Sequence, residues 1–181
     1  MRHLKMHWGL VKAIVVLPGT VLVFVPVIVL SIAKNSMFSH KFANPEQILF
    51  WVALLAAIVG LSLSLWTIAL FMKYGKGTPA PWDPPQKLVI RGPYRYVRNP
   101  MITAVLFILL SESLVLKSLP IAIWLVVFFV GNAIYFPLVE EKGLEKRFGR
   151  EYLEYKAQVP RWLPRLHAWS LGSNEQNRRK N

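Results

Sequence analysis

Two short stretches of this 181-residue chain hold the residue types from which chemistry can be built. One is Arg91-Gly92-Pro93-Tyr94-Arg95-Tyr96-Val97-Arg98-Asn99-Pro100; the other is the adjacent pair Glu140-Glu141. In the first, Pro93 and Pro100 fix φ and restrict the residues before them, and three arginines add permanent positive charge. Asn99-Pro100 reads as a helix start, with Asn at the N-cap and Pro at the first helical position. Met101 to Leu110 are almost wholly apolar. A rigid basic loop therefore feeds into the N-terminus of an apolar helix, whose unpaired N–H groups attract anions. In the second stretch, two carboxylates stand where an apolar run gives way to charge. If the stretches converge they suit a zwitterion, with its ammonium or sulfonium facing the glutamates and its carboxylate facing the helix N-terminus. Equally open from the residues alone is an ordinary membrane boundary, with interfacial glutamates and with Arg95 and Arg98 on lipid phosphates.

The elements that must position these residues are apolar. The chain is 54% hydrophobic, which points to a small polytopic membrane protein rather than a soluble domain. It has no cysteine, which excludes disulfides, a Cys-ligated zinc site and a thiol nucleophile. The net charge of +13 is read as membrane topology and anionic headgroup contact, not nucleic-acid binding, because the basic residues flank apolar runs. No metal site is expected: His3 and His7 have i, i+4 spacing but no third ligand nearby.

Four apolar segments give an all-α fold with about four transmembrane helices. The first is Ala13–Ala33, read as a span with a kink at Pro18, Gly19 or Pro26 and not as a signal sequence. The second runs from about Ile48 to Met72, with Asn44-Pro45-Glu46-Gln47 as its capping box; Gly60 and Ser64, one turn apart, either allow close approach of another helix or are small by chance. The third, Met101–Leu116, is short. The fourth is Ile121–Val139, started by Ser118 at an N-cap, and the last two form a helical hairpin. Glu112 lies near the hairpin tip, placed to reach headgroup water or to pair with Lys117. Glu140 to Phe148 continues the fourth helix out of the membrane to a C-cap at Gly149. Glu151–Gln158 is a further helix with Tyr152 and Tyr155 on one face. The chain divides into membrane helices (1–72), a region with loop, hairpin and C-terminal helix (73–170), and a disordered tail (171–181).

Lys and Arg number three before the first span, six in Lys73–Arg98 and ten after the fourth, against two in Lys34–Gln47 and one at the hairpin tip. The positive-inside rule then makes both termini and the central loop cytoplasmic, in an integral, multi-pass membrane protein.

Arg91–Pro100, Glu140-Glu141, Leu144, Phe148-Gly149, Tyr152, Tyr155 and Val159-Pro160, in that order, resemble the isoprenylcysteine carboxyl methyltransferase family. The related phospholipid N-methyltransferases share its Arg-His-Pro and Glu-Glu elements. The likeness covers about residues 86–166. It implies an integral membrane enzyme that uses S-adenosylmethionine at the cytoplasmic side, without a Rossmann domain or a metal. It also implies a lipophilic substrate drawn from the bilayer among the membrane lipids. The cofactor contacts it implies are Gln86, Lys87, Leu88, Val89, Tyr94, Asn99, Pro100, Met101, Ile102 and Glu140; Arg98 and Glu141 are the candidate catalytic residues.

Three departures accompany the resemblance. Asn99 stands where the family has histidine, Ile102 where it has a tyrosine, and Phe136 where the eukaryotic enzymes turn an arginine toward the substrate. The last argues against a prenylcysteine-type carboxylate as acceptor. Two rival readings stay open, an NADPH-dependent membrane reductase of the sterol-reductase type and a non-catalytic membrane protein.

Overall fold

The computed structural model describes residue 16 and residues 18–33, 41–75 and 85–170, and among them it contains helices and no strand. The helices are α1 (Thr20–Ala33), α2 (Ile48–Gly75), α3 (Pro100–Val115), α4 (Leu119–Phe148) and α5 (Arg150–Gln158). A 3-10 turn, Gly92–Arg95, lies between α2 and α3. Lys87 to Ile90, which precede it, are irregular. His3, His7, the start of the first span, most of the Gly75–Pro85 stretch and the tail lie outside the described residues.

α2 and α4, at 28 and 30 residues, are long and apolar enough to cross a membrane; α1 and α3 are apolar but shorter. At 1.5 Å per residue, the 16 residues of α3 cover about 24 Å. The outward faces of α2 and α4 expose Leu55, Leu65, Val126, Val127 and Ile134, a surface that hydrocarbon can cover and water cannot favour.

α2 packs along α3 through small residues. Ala53, Ala56, Gly60 and Thr67 are buried at spacings of three, four and seven, one stripe of a helix. A Cβ at Gly60 would stand 2.9 Å from the Ala104 carbonyl oxygen and 2.7 Å from Ile108 Cγ1, so the close approach expected at this glycine is present. Thr67 Oγ1 donates within its own helix, to the Leu63 or Ser64 carbonyl, which keeps the buried hydroxyl satisfied.

π-turns accompany prolines in α1 and α4. Pro26 has no N–H for the Leu22 carbonyl four residues back, and just before it the helix widens into a π-turn over Thr20–Phe24, where Val25 N–H donates to Thr20 O and not to Val21 O. The Val21 carbonyl is taken instead by the indole N–H of Trp124 at 3.1 Å, which ties α1 to α4. Pro137, by contrast, lies inside a π-turn, Phe136–Glu140, closed by Glu141 N–H to Phe136 O.

Three local expectations need correction. Asn44 to Gln47 form a separate turn, with Gln47 N–H donating to Asn44 O, and α2 begins after it at Ile48; no capping box forms. Asn99 and Ser118 occupy the N-cap positions of α3 and α4, but neither side chain makes a capping bond. Glu112 forms no ion pair with Lys117, which takes a φ of +44 at the hairpin tip. The continuation of α4 to Phe148 and the turn at Gly149 agree with the sequence, as does the burial of Tyr152 and Tyr155 on α5.

Candidate functional site

The basic loop is seated on the end of α2. Gly92 has φ +54, a conformation open to glycine, and a Cβ there would meet Trp66 and Leu70 at 3.0 Å. Arg91 lies over the Tyr74 ring at 4.3 Å. The Tyr94 ring is buried edge-on to Phe71, and the Tyr94 carbonyl accepts the Tyr155 hydroxyl at 2.7 Å. Before the loop, the N–H groups of Gln86 and Lys87 both point at the Gly75 carbonyl. Val89 is buried beside Gly75, and Leu88 packs on the aromatic cluster of Tyr152, Tyr155, Val159 and Trp169.

The segment after α5 straps this loop in place. Arg98 N–H donates to Pro160 O, Arg165 N–H to Tyr96 O, and Trp169 N–H to Arg95 O; Arg95 Nε returns a bond to Trp169 O at 2.9 Å. Four backbone groups of the loop, Tyr94 O, Arg95 O, Tyr96 O and Arg98 N–H, therefore bond residues more than 60 positions away.

Beneath the strap lies a buried charge cluster. Glu141 is 2% exposed. Its Oε1 lies 3.0 Å from Arg98 Nη1 and accepts from Arg161 Nε at 2.6 Å; its Oε2 is 3.3 Å from Lys156 Nζ. Lys156 also reaches Glu145 at 2.6 Å. Burial pushes the Glu141 carboxyl up, but the Arg161 hydrogen bond, Arg98 and Lys156 together outweigh it and hold the group below the usual carboxylate value. Burial, with Glu141 nearby, pushes Tyr152 up to about 12. Arg98 and Glu141, singled out from sequence, are thus brought into contact. Arg161, Lys156 and Trp169 were not singled out, because pairings over such separations leave no local pattern.

The remaining candidates surround this cluster. Pro100 is fully buried at the first position of α3, and Met101 and Ile102 are half-buried in its first turn. Asn99 Nδ2 is buried with no partner, and Met101 and Ile102 lie where helix N–H groups lack intrahelical acceptors. Glu140 is half-buried and, among the described residues, makes no ion pair. It stands where the apolar part of α4 ends, and burial raises its carboxyl against the lowering pull of Arg147. Phe136 packs edge-on to Trp162 at 6.0 Å, and Trp162 meets Phe129 at 5.3 Å, so the surroundings of Phe136 are apolar on its packed side.

An unpartnered donor at a helix N-terminus and an unpaired carboxylate thus lie in segments joined through the Arg98–Glu141 contact. These groups fit opposite ends of an amino-acid zwitterion. A family model described as phospholipid methyltransferase matches residues 48–151, more than half of the chain. The match takes in α2, the loop, α3, α4 and Glu140-Glu141, and ends at the start of α5. No curated protein matches the chain.

Proposed function

The chain belongs to the phospholipid methyltransferase family, and from that membership we propose an S-adenosylmethionine-dependent membrane enzyme that methylates a lipid or lipophilic small molecule. The observation that carries the proposal is the contact of Arg98 with Glu141, which joins the basic loop to the charged exit of α4 inside the matched region. When bound, S-adenosylmethionine supplies a methyl group on a sulfonium, an electrophile that needs no further activation.

In this reading Asn99 and the first N–H groups of α3, at Met101 and Ile102, take the cofactor's carboxylate, and Glu140 takes its ammonium. Pro100 fixes where those N–H groups point. Gln86, Lys87, Leu88, Val89 and Tyr94 form the wall on the α2 side. Arg98 and Glu141 are positioning residues: they engage each other and hold the loop against α4. The protein's contribution is orientation and exclusion of water. Phe136 against Trp162 offers no cation to an anionic acceptor, so a farnesylcysteine analogue should give little methyl ester.

Titration of detergent-purified protein with S-adenosylmethionine and with NADPH tests the reading. The first should bind and the second should not. A charge-assisted hydrogen bond contributes about 1.5–3 kcal/mol, so Glu140→Gln should weaken binding by about 10- to 150-fold. Binding of NADPH alone would favour the reductase, and binding of neither a non-catalytic role. A Glu140→Gln variant that binds as tightly as the parent would mean that the site is misplaced.

A further inference from the structure

The strap after α5 carries a feature that loop bracing does not require. Leu163 is 80% exposed and Leu166 92% exposed, on a segment that also holds Trp162. These residues lie beyond the family match, which ends at 151. Their depth can be read against α4. The Trp162 ring touches Phe129 and Phe136, and so lies between them along the helix. Phe129 precedes Val139, the last apolar residue of α4 before Glu140, by about 15 Å of helix rise, and Phe136 precedes it by about 4.5 Å. The ring therefore sits on the hydrocarbon side of the point where α4 becomes charged.

Its neighbours have the chemistry of that boundary. Arg161 sends its guanidinium to Glu141 at 2.6 Å, from the level of the apolar ring toward the charged end, as a snorkelling arginine does. Pro160 and Pro164 have no N–H to leave unbonded in an apolar layer. The Pro160 carbonyl accepts from Arg98, and Arg165 N–H donates to Tyr96 O, so these two backbone groups are bonded on the protein side. Leu163, Pro164 and Leu166 face outward, and Trp162 joins the segment to Phe129 and Phe136 on α4.

We propose that residues 162–166 form a wedge embedded at the headgroup–acyl boundary of the leaflet where α4 ends, with Leu163 and Leu166 in contact with lipid chains. Trp162 is its anchor, in the manner of interfacial tryptophans, and the burial is of the depth usual for interfacial segments, about 5–10 Å. Through Arg161–Glu141 and Arg98–Pro160 the wedge ties the height of the bilayer to the basic loop. The inference rests on α4 crossing the membrane.

The chain has no cysteine, so single sites can be labelled cleanly. Leu163→Cys and Leu166→Cys, each carrying a nitroxide, would be reconstituted in phosphatidylcholine–phosphatidylglycerol vesicles. Val127→Cys on the outward face of α4 and Arg150→Cys on the exposed start of α5 serve as lipid and water references. Collision with oxygen relative to a water-soluble nickel chelate should be several-fold higher at 163 and 166 than at 150, and lower than at 127, which lies about 18 Å of helix rise inside the charged end of α4. Values like those at 150, with 127 still lipid-like, would overturn the wedge alone. Low collision with both agents would mean that protein covers the segment, and would overturn it too. An aqueous signal at 127 would remove the membrane reading of α4, and the wedge with it.

Discussion

Burying a carboxylate costs several kcal/mol unless cations and hydrogen bonds answer it, and at Glu141 Arg98, Arg161 and Lys156 all do. The folded protein holds this carboxyl below 4.5, the value it would have when unfolded, so the unfolded chain takes up the proton first. The stabilising contribution is complete above 4.5 and is lost as pH falls toward the folded value. Thermal unfolding in detergent should therefore be flat above about pH 5 and fall below it. Glu141→Gln should flatten that fall and, at neutral pH, lose about 3–5 kcal/mol by leaving two arginines short of their partner. An unchanged acid slope in the variant would assign the effect to another group. Half of this cluster was legible in the sequence: Glu141 and Arg98 mark places where apolar runs meet charge. Arg161, 20 residues beyond Glu141 on irregular backbone, has no spacing that could announce it.

At the scale of elements, apolar runs and the residues that break them located the helices, since Pro and Gly act locally. The π-turns did not show: two of them lie at or just before Pro137 and Pro26, but the third, Phe71–Gly75, contains no proline, and neither periodicity nor proline placement encodes all three. The capping box failed for a related reason: Asn-Pro-Glu-Gln also suits a free-standing turn, and that is what Asn44 to Gln47 make. Gly60 is the element-scale residue that sequence located and geometry explains. A side chain there must push against the Ala104 carbonyl, which is backbone and cannot rotate aside. Gly60→Val should therefore part α2 from α3 and destabilise the protein by about 1–3 kcal/mol. Gly131→Val, on the outward side of α4 with nothing within 4 Å, should be nearly neutral. Equal losses of Tm in the two variants would mean that helix propensity, not packing, sets the effect.

Across the whole molecule, contacts sort the helix ends into two levels. Gly75 bonds Gln86, Arg98 meets Glu141, and Tyr94 meets Tyr155, so the end of α2, the basic loop and the exit of α4 share one level. Lys41 and Ala43 bond Leu116 and Val115, so the start of α2 and the hairpin tip share the other. The 28 residues of α2 separate these levels by about 42 Å. Charge follows the same division. Among the described residues, the first level holds Lys73, Lys87, Arg91, Arg95, Arg98 and the basic residues from Lys142 to Arg165; the second holds Lys41 and Lys117. Neither fact alone fixes an orientation, but the charge bias predicts that the basic level is cytoplasmic. Reporter fusions ending at Lys34 and at Lys117 should then be active outside, and a fusion after Gly172 inside. An outside signal after Gly172 together with one after Lys117 would mean that α4 does not cross. Inside signals at Lys34 and Lys117 with an outside signal after Gly172 would keep the spans and invert the protein, and would put the proposed cofactor site on the face remote from cytoplasmic S-adenosylmethionine.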